Sequence, residues 1–134
     1  MLIPAMSVAE TKDAAAPLDV TASCERKATK GRVLCDVELE SPAARIAWAD
    51  VVVTSAPPFA PPLRSRIALP DARARTEHRV RLPVALVATS LGRGIVSMRA
   101  RAVLCRPASG GAESCLAATK DVSTDIIVGT DIEH

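Results

Sequence analysis

Two pairs of cysteines are the residues best able to do chemistry in this 134-residue chain: Cys24 and Cys35, with ten residues between them, and Cys105 and Cys115, with nine. At such spacing each pair can close a local disulfide. The stretch VLCRPASGGAESCLAA can also hold an exchanging pair, because its two sulfurs flank a Ser-Gly-Gly turn and Arg106 adjoins Cys105. Glu113 works against exchange, since a carboxylate near Cys115 disfavours its thiolate. Zinc wants closely spaced Cys or Cys/His pairs. Here the two histidines, His78 and His134, are scattered, and neither a metal nor a cofactor is expected. Met6 and Met98 lie too far apart to suggest copper. His78 alternates with Val80 and Leu82 and reads as a strand residue, since no motif places a nucleophile beside it. Gly92 and Gly94 read as a turn, because a phosphate loop needs its Lys and a helix behind it. No catalytic constellation emerges.

The second chemical feature is arginine. Between Arg64 and Arg106 the only acids are Asp71 and Glu77, and Arg64/Arg66, Arg79/Arg81 and Arg99/Arg101 recur at two-residue spacing. On a strand that spacing projects both members of a pair from one face. Up to three pairs could share a surface that takes carboxylates or phosphates through guanidinium contacts. The competing reading is a solvated sheet face, with the acidic stretch Arg32–Glu40 lying alongside. Nucleic acid is disfavoured, because Trp48 and Phe59 are the only aromatics available to stack on bases.

Short runs of period-2 alternation, separated by Gly, Pro and charged clusters, must position these residues. Strands are expected near 18–24, 32–40, 45–55, 63–69, 78–88, 94–106 and 115–128. The prolines of APPFAPP, Ala56–Pro62, cannot donate to a ladder and predict a crossing between sheets. The length suits one domain, a β-sandwich over residues 18–128 with loose tails at 1–17 and 129–134. Setting Cys24 opposite Cys35 also sets Ala22 against Val37 and Val20 against Leu39, all facing the core. Setting Cys105 opposite Cys115 puts Leu104 against Leu116 and Met98 against Val122 on the inner face. The disulfide then falls on the outer face with a cross-strand Arg99/Asp121 pair. This register also turns Lys120 inward, which demands a bulge or a solvated strand end. Each staple would contribute about 2–3 kcal/mol.

The stretch RGIVSMRARAVLCRPASGGAESCLAATKDVSTDI resembles the redox hairpin of the N-terminal periplasmic domain of DsbD-type thiol:disulfide interchange proteins. The resemblance implies an immunoglobulin-like β-sandwich whose Cys105 and Cys115 would exchange with a thioredoxin-like protein. Trp48 on the third strand is also similar in position to the core Trp of immunoglobulin domains. Disulfides belong to oxidising compartments, so the chain is expected in the periplasm or outside a bacterial cell. No apolar run reaches the roughly 20 residues of a membrane span, and no membrane insertion is expected. The expected fold is all-β: a single antiparallel sandwich of about seven strands with two hairpin disulfides. The expected role is a noncatalytic extracytoplasmic module that binds a protein or anionic envelope partner. Thiol-disulfide exchange at Cys105/Cys115 is the alternative.

Overall fold

The computed structural model describes residues 17–129, and the expected tails lie outside them except for Pro17 and Gly129. Eight strands follow one another: β1 (Asp19–Cys24), β2 (Gly31–Glu40), β3 (Arg45–Ser55), β4 (Arg66–Ala68), β5 (Ala74–Arg75), β6 (Arg79–Ala88), β7 (Gly92–Pro107) and β8 (Glu113–Val128). They form two antiparallel four-stranded sheets, sheet I in the order β1-β2-β6-β5 and sheet II in the order β4-β3-β7-β8. With β4 as the extra strand beside β3, this is the order of an immunoglobulin-like sandwich.

The expected strand between residues 63 and 69 is shorter than its pattern suggests, because the preceding prolines take the chain to the other sheet first. Val87 N–H donates to Pro61 O and Leu63 N–H to Ala85 O, so this segment runs along β6 before β4 returns to β3. The crossing plugs one end of the core. Ala60 is fully buried, and the ring of Phe59 lies where a Cβ on Gly92 would come within 3.2 Å of it. Gly94 makes similar room for Pro57, so these glycines begin β7 and leave space for the crossing. Past β4, Pro70 starts a tight turn over Leu69–Asp71, and β5 follows as an additional short edge strand.

Alternation in the longer strands supplies the core. Val33, Val37, Leu39, Leu82, Val84 and Leu86 of sheet I are fully buried, and they face Val51, Val96, Met98 and Ile126 of sheet II. No aromatic side chain is fully buried among the described residues.

Both hairpin registers match expectation. Cys24 stands opposite Cys35, Ala22 opposite Val37 and Val20 opposite Leu39. Cys105 stands opposite Cys115, Leu104 opposite Leu116 and Arg99 opposite Asp121. Both disulfides are formed, and each lies within one sheet instead of joining the two. The long hairpin turns through Ser109–Gly111, where Gly110 and Gly111 have φ of 84° and 90°, a conformation that side chains disfavour. No bulge interrupts β8 at Lys120. The inward lysine is accommodated because β8 is an edge strand: the side chain leaves the rim of the core, and Nζ donates to Leu18 O at 3.3 Å.

Candidate functional site

The six arginines do not share one surface. Two-residue spacing sets which face of its own strand a side chain takes, but not which sheet the strand joins. β6 pairs with β2 in sheet I and β7 pairs with β3 in sheet II, so Arg79/Arg81 and Arg99/Arg101 look out from opposite sides of the sandwich. On sheet I, Arg79 contacts Glu38 at 2.9 Å and Glu40 at 3.0 Å, and Arg81 approaches Glu38 at 3.8 Å. The acidic strand β2 neutralises that pair, and the result is a solvated ionic lattice. Arg64 lies in the connection before β4 and bonds Asp71 at 3.2 Å. Arg66, Arg99 and Arg101 come together on sheet II.

What ties Arg66 to Arg101 is Asp50, which the sequence reading passed over. Read by alternation alone, β3 has two candidate faces, Ile46/Trp48/Asp50/Val52 and Ala47/Ala49/Val51/Val53. A register shift between Ile46 and Trp48 resolves them, since Ala47 is an extra residue in the ladder. Ile46 therefore points inward with Ala49 and Val51, while Trp48 and Asp50 turn to the outer face. Trp48 is thus half-buried on the outside of the sandwich and does not occupy the position of an immunoglobulin core Trp.

Asp50 has no exposed surface although it sits on the solvent side of its sheet. Arg66 Nε donates to its Oδ2 at 2.7 Å, Arg101 Nε donates to Oδ1 at 2.8 Å, and Arg101 Nη2 also donates to Oδ2. Burial pushes the Asp50 pKa up, but the hydrogen bonds and charges of Arg101 and Arg66 outweigh it and hold the carboxyl below the ordinary range. The same hydrogen bond and charge hold Arg101 above its ordinary value. The guanidinium of Arg101 lies 5.8 Å from the Trp48 ring centroid, within cation–π range. Beside this group Arg99 Nε donates to Asp121 Oδ1 at 2.8 Å, and that bond lowers the Asp121 pKa. Arg66 and Arg101 keep 52% and 43% of their side-chain surface exposed over a carboxylate that has none. Two guanidiniums against one carboxylate leave one positive charge, fixed in place beside an aromatic face. Such an arrangement suits a carboxylate or phosphate on an otherwise apolar partner surface.

The second hairpin disulfide is only half as exposed as its face suggests. Cys115 is exposed, but Cys105 is 3% exposed. The cause is an ion pair crossing above β7: Arg45 on β3 donates to Glu113 on β8, with Nη2 to Oε1 at 2.7 Å. Cys105 lies between them, opposite Arg45 in register. It also lines an open hollow of about 340 Å³ with Arg45, Glu77, His78, Pro107 and Glu113. His78 precedes β6, and its Nδ1 lies 3.0 Å from Ser41 O and 2.7 Å from Ala44 O. Two carbonyls require that nitrogen to carry the proton and donate it, so the ring fastens the β2–β3 turn. In the first pair Cys35 is fully buried and Cys24 half-buried, as a core staple requires. All four cysteines are bonded, so none offers a thiolate to a metal.

Comparison of the chain with known protein families and with curated proteins finds no match. Among the described residues no helix is long and apolar enough to cross a membrane.

Proposed function

We propose that this protein is a noncatalytic module of an oxidising, extracytoplasmic compartment, and that it binds a protein or envelope partner through the outer face of sheet II. The buried carboxylate of Asp50 carries this reading. A fully desolvated charge on the solvent side of a sheet is costly unless paired. Here its two partners hold their remaining donors toward water, next to the chain's single Trp. Arg and Trp are the side chains that most often dominate protein interfaces, and guanidiniums fixed in advance lose little freedom on binding. Two disulfides support the compartment.

Trp48 is the only Trp and the chain has no Tyr, so intrinsic fluorescence excited above the Phe band reports on this site alone. Titration with poly-L-glutamate at low salt should change Trp48 emission saturably, and the response should weaken as salt rises. An Arg66→Ala/Arg101→Ala variant should lose it. No response, or an equal response in the variant, counts against this face as the binding surface.

A second reading has its own observation, the exposure of Cys115 with Arg45 beside Cys105. A partner thiolate would attack Cys115 Sγ and form a mixed disulfide. The electron pair of the broken S–S bond would leave on Cys105 beside the Arg45 guanidinium, and a second partner thiol would then release Cys115. Redox titration against a dithiol distinguishes the readings. A structural staple lies below about −300 mV, and an exchanging pair lies higher.

A further inference from the structure

Glu113 stands beside both sulfurs of the second hairpin disulfide as well as against Arg45. Two-residue spacing on β8 puts Glu113 on the face of Cys115, and the register of the hairpin sets Cys115 opposite Cys105 and Glu113 opposite Pro107. Among the described residues, Cys105 Sγ, Cys115 Sγ and a carboxylate oxygen of Glu113 all lie within 4.8 Å of one another. Ligand atoms around one tetrahedral zinc stand about 3.5–3.8 Å apart, given bonds of about 2.3 Å to sulfur and 2.0–2.2 Å to a carboxylate. Side-chain rotations therefore suffice to bring all three onto one ion. Sequence spacing hides this, because zinc motifs are read along the chain and these sulfurs meet across a ladder.

In the oxidised protein the two sulfurs are bonded to each other and bind no cation. Cys115 is exposed to a reductant, and Cys105 borders the open hollow. A dithiol reductant that attacks Cys115 Sγ passes two electrons and two protons to the pair and closes its own disulfide. Glu113 then decides what the reduced pair can do. A carboxylate beside a thiol disfavours the bare thiolate. A divalent cation reverses that effect, because it displaces both thiol protons and takes the carboxylate as a third anion. The charges close: two thiolates and one carboxylate carry three negative charges, zinc supplies two positive ones, and the Arg45 guanidinium, whose Nη2 donates to Glu113 Oε1 at 2.7 Å, supplies the last. A ligating carboxylate that is itself hydrogen-bonded from behind is held in orientation. The fourth position opens on the hollow, whose other walls carry Glu77 and His78.

We propose that reduction converts the Cys105–Cys115 staple into a zinc site of two thiolates, the Glu113 carboxylate and one open position, and that zinc then holds the hairpin the disulfide held. Thiolates select zinc over magnesium or calcium, which want oxygen ligands alone. The site is independent of the Trp48 face. It requires the bond to be reducible, as the exchange reading also does, but metal binding by the reduced protein is a separate claim with its own readout.

Folded wild type is reduced with a water-soluble phosphine, which takes an oxygen from water as the bond opens, and is freed of reagent without air. Thiol counting and peptide mapping should place the new thiols at Cys105 and Cys115. Cobalt(II) should then give thiolate charge-transfer absorption and the visible bands of a tetrahedral ion, saturating at a single ion per chain, and zinc(II) should displace it. Oxidised protein and the Cys105→Ser/Cys115→Ser variant should show no such spectrum. Glu113→Gln keeps both cysteines and should weaken zinc by at least about tenfold, the low end of what losing even an outer-shell partner costs. Zinc should also restore roughly half of the melting temperature that reduction removes from wild type, and less in Glu113→Gln at the same zinc concentration. A bond that resists reduction in the folded protein, no cobalt spectrum after reduction, or the same spectrum in the oxidised protein or the serine variant would overturn the proposal. So would equal zinc affinity in Glu113→Gln or no thermal recovery with zinc.

Discussion

Replacing Asp50 with Asn keeps the shape of the side chain and removes the charge that orders the cluster. Three donors reach the carboxylate, one from Arg66 and two from Arg101. A hydrogen bond to a charged group contributes about 1.5–3 kcal/mol and a neutral one about 0.5–1.5. Weakening three of them costs roughly 3 kcal/mol on that scale, and the Asn amide also turns an N–H₂ toward a guanidinium that is itself a donor. Relief from burying a charge works in the other direction. Arg66 and Arg101 are half in water and can rehydrate, which limits the damage. A net loss of about 2 kcal/mol is expected at pH 7, or about 7–8 °C in melting temperature for a domain of this size.

The pH dependence supplies the stricter check. The Asp50 pKa is lowered in the folded protein. Its stabilisation is therefore complete above the unfolded value of about 3.9 and disappears as pH falls through the lower folded value. The gap between wild type and Asp50→Asn should stay constant from pH 7 to about 5 and close toward pH 2. Asp121, which Arg99 also lowers, titrates in both proteins and drops out of the difference. Urea unfolding at a series of pH values measures this directly. Equal stability at pH 7, or a gap that persists at the lowest pH where both proteins fold, would refute the account of Asp50.

Three further outcomes follow from the same contacts. Cys24→Ser/Cys35→Ser and Cys105→Ser/Cys115→Ser should each lower unfolding free energy by about 2–3 kcal/mol, with the larger loss at Cys24/Cys35 because Cys35 lies in the core; calorimetry of the two variants compares them. Deleting Ala47 removes only the extra residue of the β3 ladder and leaves Trp48 and Asp50 facing outward. That variant should unfold cooperatively with native-like Trp48 emission, whereas an Ala inserted between Trp48 and Ala49 should not. Arg79→Ala removes one member of the neutralised lattice on sheet I and should leave the Trp48 titration unchanged.

Much of this fold could be read before the coordinates, for a specific reason. In both hairpins one choice of cysteine partners also satisfied the apolar alternation, so the registers of β1–β2 and β7–β8 were overdetermined. The face of Trp48 was not legible, because both alternating sets of β3 are equally plausible and a bulge at an alanine leaves no mark in composition. The division of the arginines was hidden for a similar reason, since partner strands are chosen across the chain and not within the strand that carries the pair. Asp50 did leave a trace, an acid inside the apolar run Ala49–Val53 of a strand with neighbours rich in Arg. Such a conflict between local pattern and burial is a usual mark of a site. The cover over Cys105 depends on Arg45 and Glu113, 68 residues apart, meeting across an intervening strand.

The proposed binding face is tested most directly by a photo-crosslinking residue placed on each outer surface in turn, with the protein expressed in its own cells. Benzoylphenylalanine replaces Val52, which stands beside Arg66 and Arg99 on sheet II, or Thr21 on the outer side of sheet I. A discrete adduct is expected from Val52, absent from Thr21 and abolished by Trp48→Ala/Arg101→Ala in the same protein. An adduct from Thr21 alone, or one from Val52 that survives those substitutions, would contradict the assignment.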